Sequence, residues 1–143
     1  MVRPTTREGP RALLHPYVVC LGSALLMAAF AGDAMYYRSS LWQWANFAAW
    51  LIVAGLVLAL LATIVLVIDV ATGRAGRIRW IRFLVLAAAA LLSLLNIFVH
   101  SRDGWTSVVP QGIGLSALVT LLLLIAALGG WKVAEPRATG ERG

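Results

Sequence analysis

The fold is decided by residues 44–68, Trp44-Ala-Asn-Phe-Ala-Ala-Trp-Leu-Ile-Val-Ala-Gly-Leu-Val-Leu-Ala-Leu-Leu-Ala-Thr-Ile-Val-Leu-Val-Ile68, which contain no charged side chain. An α-helix rises about 1.5 Å per residue, so about 20 apolar residues cross the roughly 30 Å hydrocarbon core of a bilayer. This run is long enough to span a membrane. The sequence therefore predicts a transmembrane helix here.

Three further apolar runs, at residues 13–32, 81–99 and 113–131, are also long enough to span a bilayer. The chain is 61% hydrophobic and only 13% charged, whereas about a quarter of residues are charged in soluble domains. The loops between these runs are short, which favours antiparallel neighbours. We predict an all-α protein, an integral membrane antiparallel four-helix bundle that forms a single domain over residues 1–143.

The basic residues predict how the bundle is oriented. Of the 12 lysines and arginines, only Arg38 and Arg102 flank one side of the four spans. The others fall on the opposite side: Arg3, Arg7, Arg11, Arg74, Arg77, Arg79, Arg82, Lys132, Arg137 and Arg142. Positively charged flanks stay in the cytoplasm, so we expect a multi-pass protein with both termini cytoplasmic. The basic residues that give the chain its net charge of +6 are then expected to contact anionic lipid. No nucleic acid is expected as a partner.

The N-terminus has an alternative interpretation as a cleaved secretory signal. Basic residues precede the first apolar run, and Ala29-Phe30-Ala31 matches an A-x-A cleavage site. Cleavage after Ala31 would leave three spans. The apolar run is long for a signal peptide, which favours an uncleaved first helix.

Polar residues gather at the outer ends of the spans, above all in the stretch 96–110. The candidate interaction residues are Asp33, Arg38, Asn46, Asn96, His100, Arg102, Asp103 and Trp105. Asn46 and Asn96 lie at similar depths in neighbouring spans, so we expect a hydrogen bond between them. The cluster either stabilises the bundle through polar contacts between helices or recognises an external ligand or protein.

The remaining reactive groups do not suggest catalysis or metal binding. His15 and His100 lie at opposite ends of the membrane, roughly 30 Å apart, so no single metal or haem can use both. Cys20 has no partner cysteine and is expected to be structural. We expect Asp69 to pair with Arg74 and Arg77. The sequence thus predicts no catalytic residue and no metal site.

Small residues recur at every fourth position in each span. Such stripes let helices approach closely in lipid, so we expect them to face the bundle interior. The same stripes could equally form the interface of a homo-oligomer. They comprise Ala24, Ala28, Gly32, Gly55, Ala59, Thr63, Ala89, Ser93, Gly112, Ser116 and Thr120.

Over nearly its whole length the chain resembles an uncharacterised family of bacterial membrane proteins, domain of unknown function 2231. The residues that carry the resemblance are His15-Pro16, Asp33, Gly55, Asp69, Asn96, the segment His100 to Pro110, Gly112, Leu115-Ser116 and Gly129-Gly130-Trp131. This chain ends soon after Trp131, without the further C-terminal stretch that the resemblance would lead us to expect. The resemblance implies a four-span protein of the bacterial inner membrane and no established activity.

We therefore expect a non-enzymatic anchor, scaffold or accessory subunit that docks an external, periplasmic or membrane partner through its outer loops. No cofactor is required by this function. An alternative is a redox subunit that binds haem or a quinone near the outer face of the membrane. A third hypothesis is a small-molecule channel or transporter that acts as an oligomer.

Overall fold

A computed structural model describes residues 13–102 and 108–137. They form four long helices: α1 (His15–Ser39), α2 (Trp42–Ala71), α3 (Trp80–His100) and α4 (Gln111–Leu128). Each of the four is long and apolar enough to cross a membrane. The predicted all-α four-helix membrane bundle is confirmed.

The helices differ in extent from the predicted spans, most clearly in α1. The prediction ended the first span at Gly32 because a carboxylate follows, but the helix continues to Ser39. It ends there because Ser40 adopts a left-handed conformation, with φ of 53°, and donates its N–H to the Tyr36 carbonyl at 2.7 Å. Only Ser40 and Leu41 then connect α1 to α2.

Each helix packs against its two neighbours around a square, so α1 contacts α2 and α4, and α3 contacts α2 and α4. The connectivity makes neighbouring helices antiparallel. The centre is filled by small and branched apolar side chains: Leu26, Ala29, Ile52, Ala89, Val119 and Leu123. We call the end that carries His15 the His15 end, and the opposite end the His100 end.

Glycines allow α1 and α2 to approach closely. A Cβ atom on Gly55 would lie 2.7 Å from the Leu26 side chain, and one on Gly32 would lie 3.0 Å from the Cβ of Ala48. Gly32 and Gly55 are buried as predicted, whereas Ala24 and Ala28 are exposed. Thr63 of α2 is exposed as well. The prediction that the stripes face the bundle interior is therefore wrong for Ala24, Ala28 and Thr63.

The buried face of α1 follows a different line because two ionisable residues fix it. His15, Gly22, Leu26, Ala29 and Asp33 are all buried, and they recur at spacings of three, four and seven residues. Such spacings place side chains on one face of a helix. Because His15 and Asp33 find their partners inside the bundle, the residues between them on this face turn inward as well.

A two-stranded antiparallel sheet covers part of the His15 end. It pairs β1 (Ala75–Ile78) with β2 (Ala134–Pro136), and the Arg79 N–H donates to the Val133 carbonyl at 2.8 Å. The sheet was not predicted, because both strands are too short to show an alternating pattern. Its buried residues pack against Leu66 of α2, so the segment after α4 folds back onto the bundle.

Candidate functional site

Two buried pairs of histidine and aspartate lie at opposite ends of the bundle. At the His100 end, Nε2 of His100 lies 2.8 Å from Oδ1 of Asp33. The side chains of the two residues are 1% and 0% exposed. Because the pair joins α1 to α3 diagonally across the bundle, it holds together two helices that pack little elsewhere.

Two further polar residues complete this arrangement. Ser116 of α4 donates its hydroxyl to Oδ2 of Asp33, and Nδ2 of Asn96 donates to the Ser116 oxygen at 2.7 Å. We call Asp33, Asn96, His100 and Ser116 the Asp33 network. It connects α1, α3 and α4 through side chains inside the bundle.

The hydrogen bonds of His100 restrict where the protons of the pair can lie. Nδ1 lies 3.0 Å from the Asn96 carbonyl, which can only accept, so this nitrogen carries a proton. The proton between Nε2 of His100 and Oδ1 of Asp33 belongs either to the imidazole, which makes a buried ion pair, or to the carboxyl group, which makes a neutral pair. The Asp33 network is therefore a candidate buried ion pair supported by neutral donors.

The second pair lies at the His15 end. Nδ1 of His15 lies 3.2 Å from Oδ2 of Asp69, and the Ala134 N–H donates to Nε2 of His15 at 3.4 Å. Because Nε2 accepts from Ala134, Nδ1 is the ring nitrogen that donates to the Asp69 carboxylate. We call His15, Asp69, Arg74 and Ala134 the Asp69 network. It joins α1, α2 and β2.

Asp69 has one of its two predicted partners. We predicted pairing with Arg74 and Arg77, and Nη1 of Arg74 lies 4.0 Å from Oδ1 of Asp69, at the limit of an ion pair, whereas no ion pair with Arg77 is found among the described residues. The nearer group is His15. The first span begins and the second ends on the same side of the membrane, so the sequence contained the information needed to predict this contact.

A cavity of about 400 Å³ lies in the half of the bundle next to His15. Its wall includes the small side chains of Ala59, Ala87 and Ala90. The exposed side chains of Leu60 and Leu91 also line it, so it opens sideways between α2 and α3. His15 and Ser23 supply polar groups to a wall that is otherwise almost entirely apolar.

A model of the family described as "Predicted membrane protein (DUF2231)" matches residues 11–141. The chain belongs to this family. No curated protein and no solved structure matches it. The matched range includes both histidine–aspartate pairs and the residues that line the cavity.

In this DUF2231 chain, the predicted interaction residues separate into two groups. Asp33, Asn96 and His100 come together inside the bundle. Arg38 is exposed, and the exposed Arg102 donates from Nη1 to Oε1 of Gln111 at 3.0 Å. Two members of the set, Asp103 and Trp105, lie outside the described residues. The candidate cluster thus contains an interior network and a separate exposed pair of arginines.

The expected hydrogen bond between Asn46 and Asn96 is wrong. Asn46 is exposed beside the buried Ala45, and Asn96 instead donates to Ser116. Similar depth along two helices does not decide a contact, because one residue rotates a side chain by about 100° around a helix. Ser116, which the candidate set omitted, could have been found because its small-residue stripe was already predicted to face inward.

The two histidines are well separated along α1 and α3. His15 and Asp33 are 18 residues apart on one helix, which corresponds to about 27 Å. Among residues 13–102 and 108–137, no three His, Cys, Asp or Glu side chains come close enough together to hold a metal ion. The two networks are therefore separate in space, each at its own end of the bundle.

Proposed function

We propose that this membrane protein is a non-enzymatic binding protein for a lipophilic molecule of the bilayer. The observation that carries the proposal is the cavity of about 400 Å³ that opens between α2 and α3. Its volume is in the range of about 300–1,000 Å³ that is typical of small-molecule sites. It is reached directly from the lipid, so an apolar ligand need not cross water.

The wall chemistry suggests an apolar body with one hydrogen-bonding head. Nε2 of His15 accepts only a long bond of 3.4 Å from Ala134, so a ligand hydroxyl is a competitive donor. The buried Ser23 hydroxyl can donate to a carbonyl. An isoprenoid alcohol and a quinol both have this form. The redox alternative is then the case in which the ligand is a quinone, bound nearer the His15 end than the sequence suggested.

Mass spectrometry of lipids extracted from the purified protein tests this proposal. Ala90→Phe would fill the cavity, whereas Ala88→Phe adds the same side chain on the exposed face of α3. We expect an enriched lipophile with the unchanged protein and with Ala88→Phe, and its loss with Ala90→Phe. An extract with only bulk membrane lipids, or equal loss in both variants, would contradict the proposal.

Docking of an external partner is a second candidate, supported by the exposure of Arg38 and Arg102 at the His100 end. Replacing both arginines by alanine should abolish a partner that co-purifies in mild detergent, while the bundle remains folded. Arg137→Ala, at the other end, is the control. If the intact protein retains no partner, docking is not its function.

Haem binding and transport receive less support. Both ring nitrogens of His100 are engaged in hydrogen bonds, so an axial bond to iron would require one of them to break. Ile52, Ala89 and Leu123 fill the centre of the bundle, which disfavours a path through one protomer. A channel would need an interface between several copies of the chain.

We also propose that the His15 end faces the cytoplasm of a bacterial inner membrane. The proposal rests on the arginines at this end and on the rule that positive flanks stay inside. In a background without the native cysteine, an impermeant maleimide added to intact cells should label Ser101→Cys and spare Arg77→Cys. The reverse labelling pattern would invert the topology.

A further inference from the structure

A second concave surface lies on the outside of the bundle at the His15 end, where the end of β1 and the start of α3 meet the end of α4. We call this groove, which encloses about 820 Å³ and is lined in part by Arg77, Arg79 and Arg82, the arginine groove. It shares no lining residue with the cavity between α2 and α3. Its chemistry can therefore be tested separately from the proposed function.

The arginine groove is positively charged. Three guanidinium groups and the carboxylate of Glu135 line it, which leaves a net charge of +2. Nε and Nη2 of Arg79 hold Oε1 of Glu135 at 3.1 and 2.8 Å. The hydrogen bond and charge of Arg79, together with the charge of Arg77, hold the pKa of Glu135 below its usual range. Glu135 therefore stays ionised at neutral pH, and the other two arginines remain in excess over it.

Arg82 is held in place at the lip of the groove. Its Nη1 donates to the Lys132 carbonyl at 3.0 Å, while its guanidinium lies over Gly129, where a Cβ atom would collide with it. The guanidinium has five N–H donors, so this single bond leaves several for a ligand. The first turn of α3 contains no acidic residue, and no side chain caps it. The partial positive charge at the start of this helix is therefore not compensated and adds to the positive potential of the groove.

One wall of the groove is apolar and faces the lipid. Ile81 is 82% exposed and Ile125 is 52% exposed, and both line the groove with Val85. Trp80, which is 63% exposed, lies at the start of α3, where an aromatic ring is suited to the headgroup level. Positive charge and exposed hydrocarbon thus meet at one depth.

We propose that the arginine groove binds the phosphate head group of an anionic phospholipid, with one acyl chain lying along Ile81, Val85 and Ile125. Arg77 and Arg82 contact the phosphate, since guanidinium groups match phosphate oxygens with paired donors. Arg79 is a positioning residue, because its pairing with Glu135 orders this edge of the groove. A lipid fits better than free phosphate because the apolar wall can contact an acyl chain, and a free phosphate ion has no apolar part to bind there.

Native mass spectrometry of the full chain, titrated with phosphatidylglycerol or phosphatidylcholine of the same acyl chains, tests this inference. We expect the unchanged protein to prefer phosphatidylglycerol by about thirtyfold, the factor that two arginines near a charged head group supply. Arg77→Gln/Arg82→Gln should reduce the preference to near one. Arg38→Gln/Arg102→Gln makes the same change of charge at the other end and should retain it.

Three results would overturn the proposal. The first is equal retention of the two lipids by the unchanged protein. The second is an equal effect of the two double variants, which would indicate a general effect of net charge. The third is full competition by inorganic phosphate with no dependence on acyl chains, which would identify a free-phosphate site. Ala90→Phe, the variant that fills the cavity, should leave the preference for phosphatidylglycerol unchanged. The cavity proposal and this proposal can therefore fail independently.

Discussion

The substitution Asp33→Asn tests whether the Asp33 network is a buried ion pair or an ordinary set of polar contacts. Asparagine keeps the shape of the side chain and can still accept a hydrogen bond. If the pair is ionised, it removes the negative charge that faces the His100 imidazolium at 2.8 Å. The two interpretations predict different losses of stability.

Hydrogen bonds between membrane helices stabilise them by about 0.6 kcal/mol on average and about 1.7 kcal/mol at most. Removing one partner of a buried ion pair costs about 3–5 kcal/mol, because the other charge stays buried without compensation. The side chains of Asp33 and His100 are 0% and 1% exposed, so water cannot replace the lost carboxylate. We therefore expect Asp33→Asn to lower the free energy of unfolding by about 3 kcal/mol.

Unfolding in mixed micelles with increasing dodecyl sulfate, followed by circular dichroism, measures this loss. His100→Gln should cost a similar amount, and the double variant should cost less than the sum, with a coupling of at least about 2 kcal/mol. Ser101→Ala is the control, since among the described residues that exposed hydroxyl bonds only to the Phe98 carbonyl of its own helix. Additivity of the two substitutions within about 0.5 kcal/mol would refute the ion pair.

Three further outcomes follow from the packing and charges. Asp69→Asn should cost only about 1–2 kcal/mol in the same assay, because the substitution weakens one hydrogen bond of 3.2 Å to His15, and the Arg74 guanidinium is exposed to water. Gly55→Leu should lower the free energy of unfolding by about 1–3 kcal/mol through overpacking, since a Cβ atom there lies 2.7 Å from the Leu26 side chain. Gly114→Leu is the control and should be neutral, because a Cβ atom at that position meets no atom of the described residues within 4 Å. Arg79 lowers the pKa of Glu135 from its usual 4.5, so their pairing stabilises the sheet fully above that value and is lost as pH falls through the lowered pKa. Hydrogen exchange of the Arg79 amide, corrected for intrinsic rates, should speed up at acid pH and lose this dependence in Glu135→Gln.

The number and approximate position of the helices could be predicted because each crosses the bilayer as a long apolar run. Their ends could not be predicted as well, since α1 continues for seven residues beyond Gly32. A carboxylate normally marks the edge of a span, but Asp33 finds its partners, His100 and Ser116, inside the bundle. The sequence pattern shows where charge is, and only the fold shows whether that charge has a partner.

The grouping of Asp33, Asn96 and His100 at one end was predictable from topology, because the first and third spans run in the same direction. The inward direction of each side chain was not, since it depends on helix rotation. The error at Asn46 and the omission of Ser116 have this one cause. The cavity was also beyond prediction, because a gap between helices leaves no pattern in any single helix.

The distribution of contacts explains why the cavity opens between α2 and α3. Close glycine contacts and the Asp69 network hold α1 to α2, while the Asp33 network holds α1, α3 and α4 together. Among the described residues, no side-chain hydrogen bond joins α2 to α3, because Asn46 is exposed and Asn96 is bound to Ser116. Separation of these two helices therefore breaks only apolar contacts, which acyl chains of the lipid can replace at little cost. A ligand that enters from the bilayer would meet its lowest barrier at this seam.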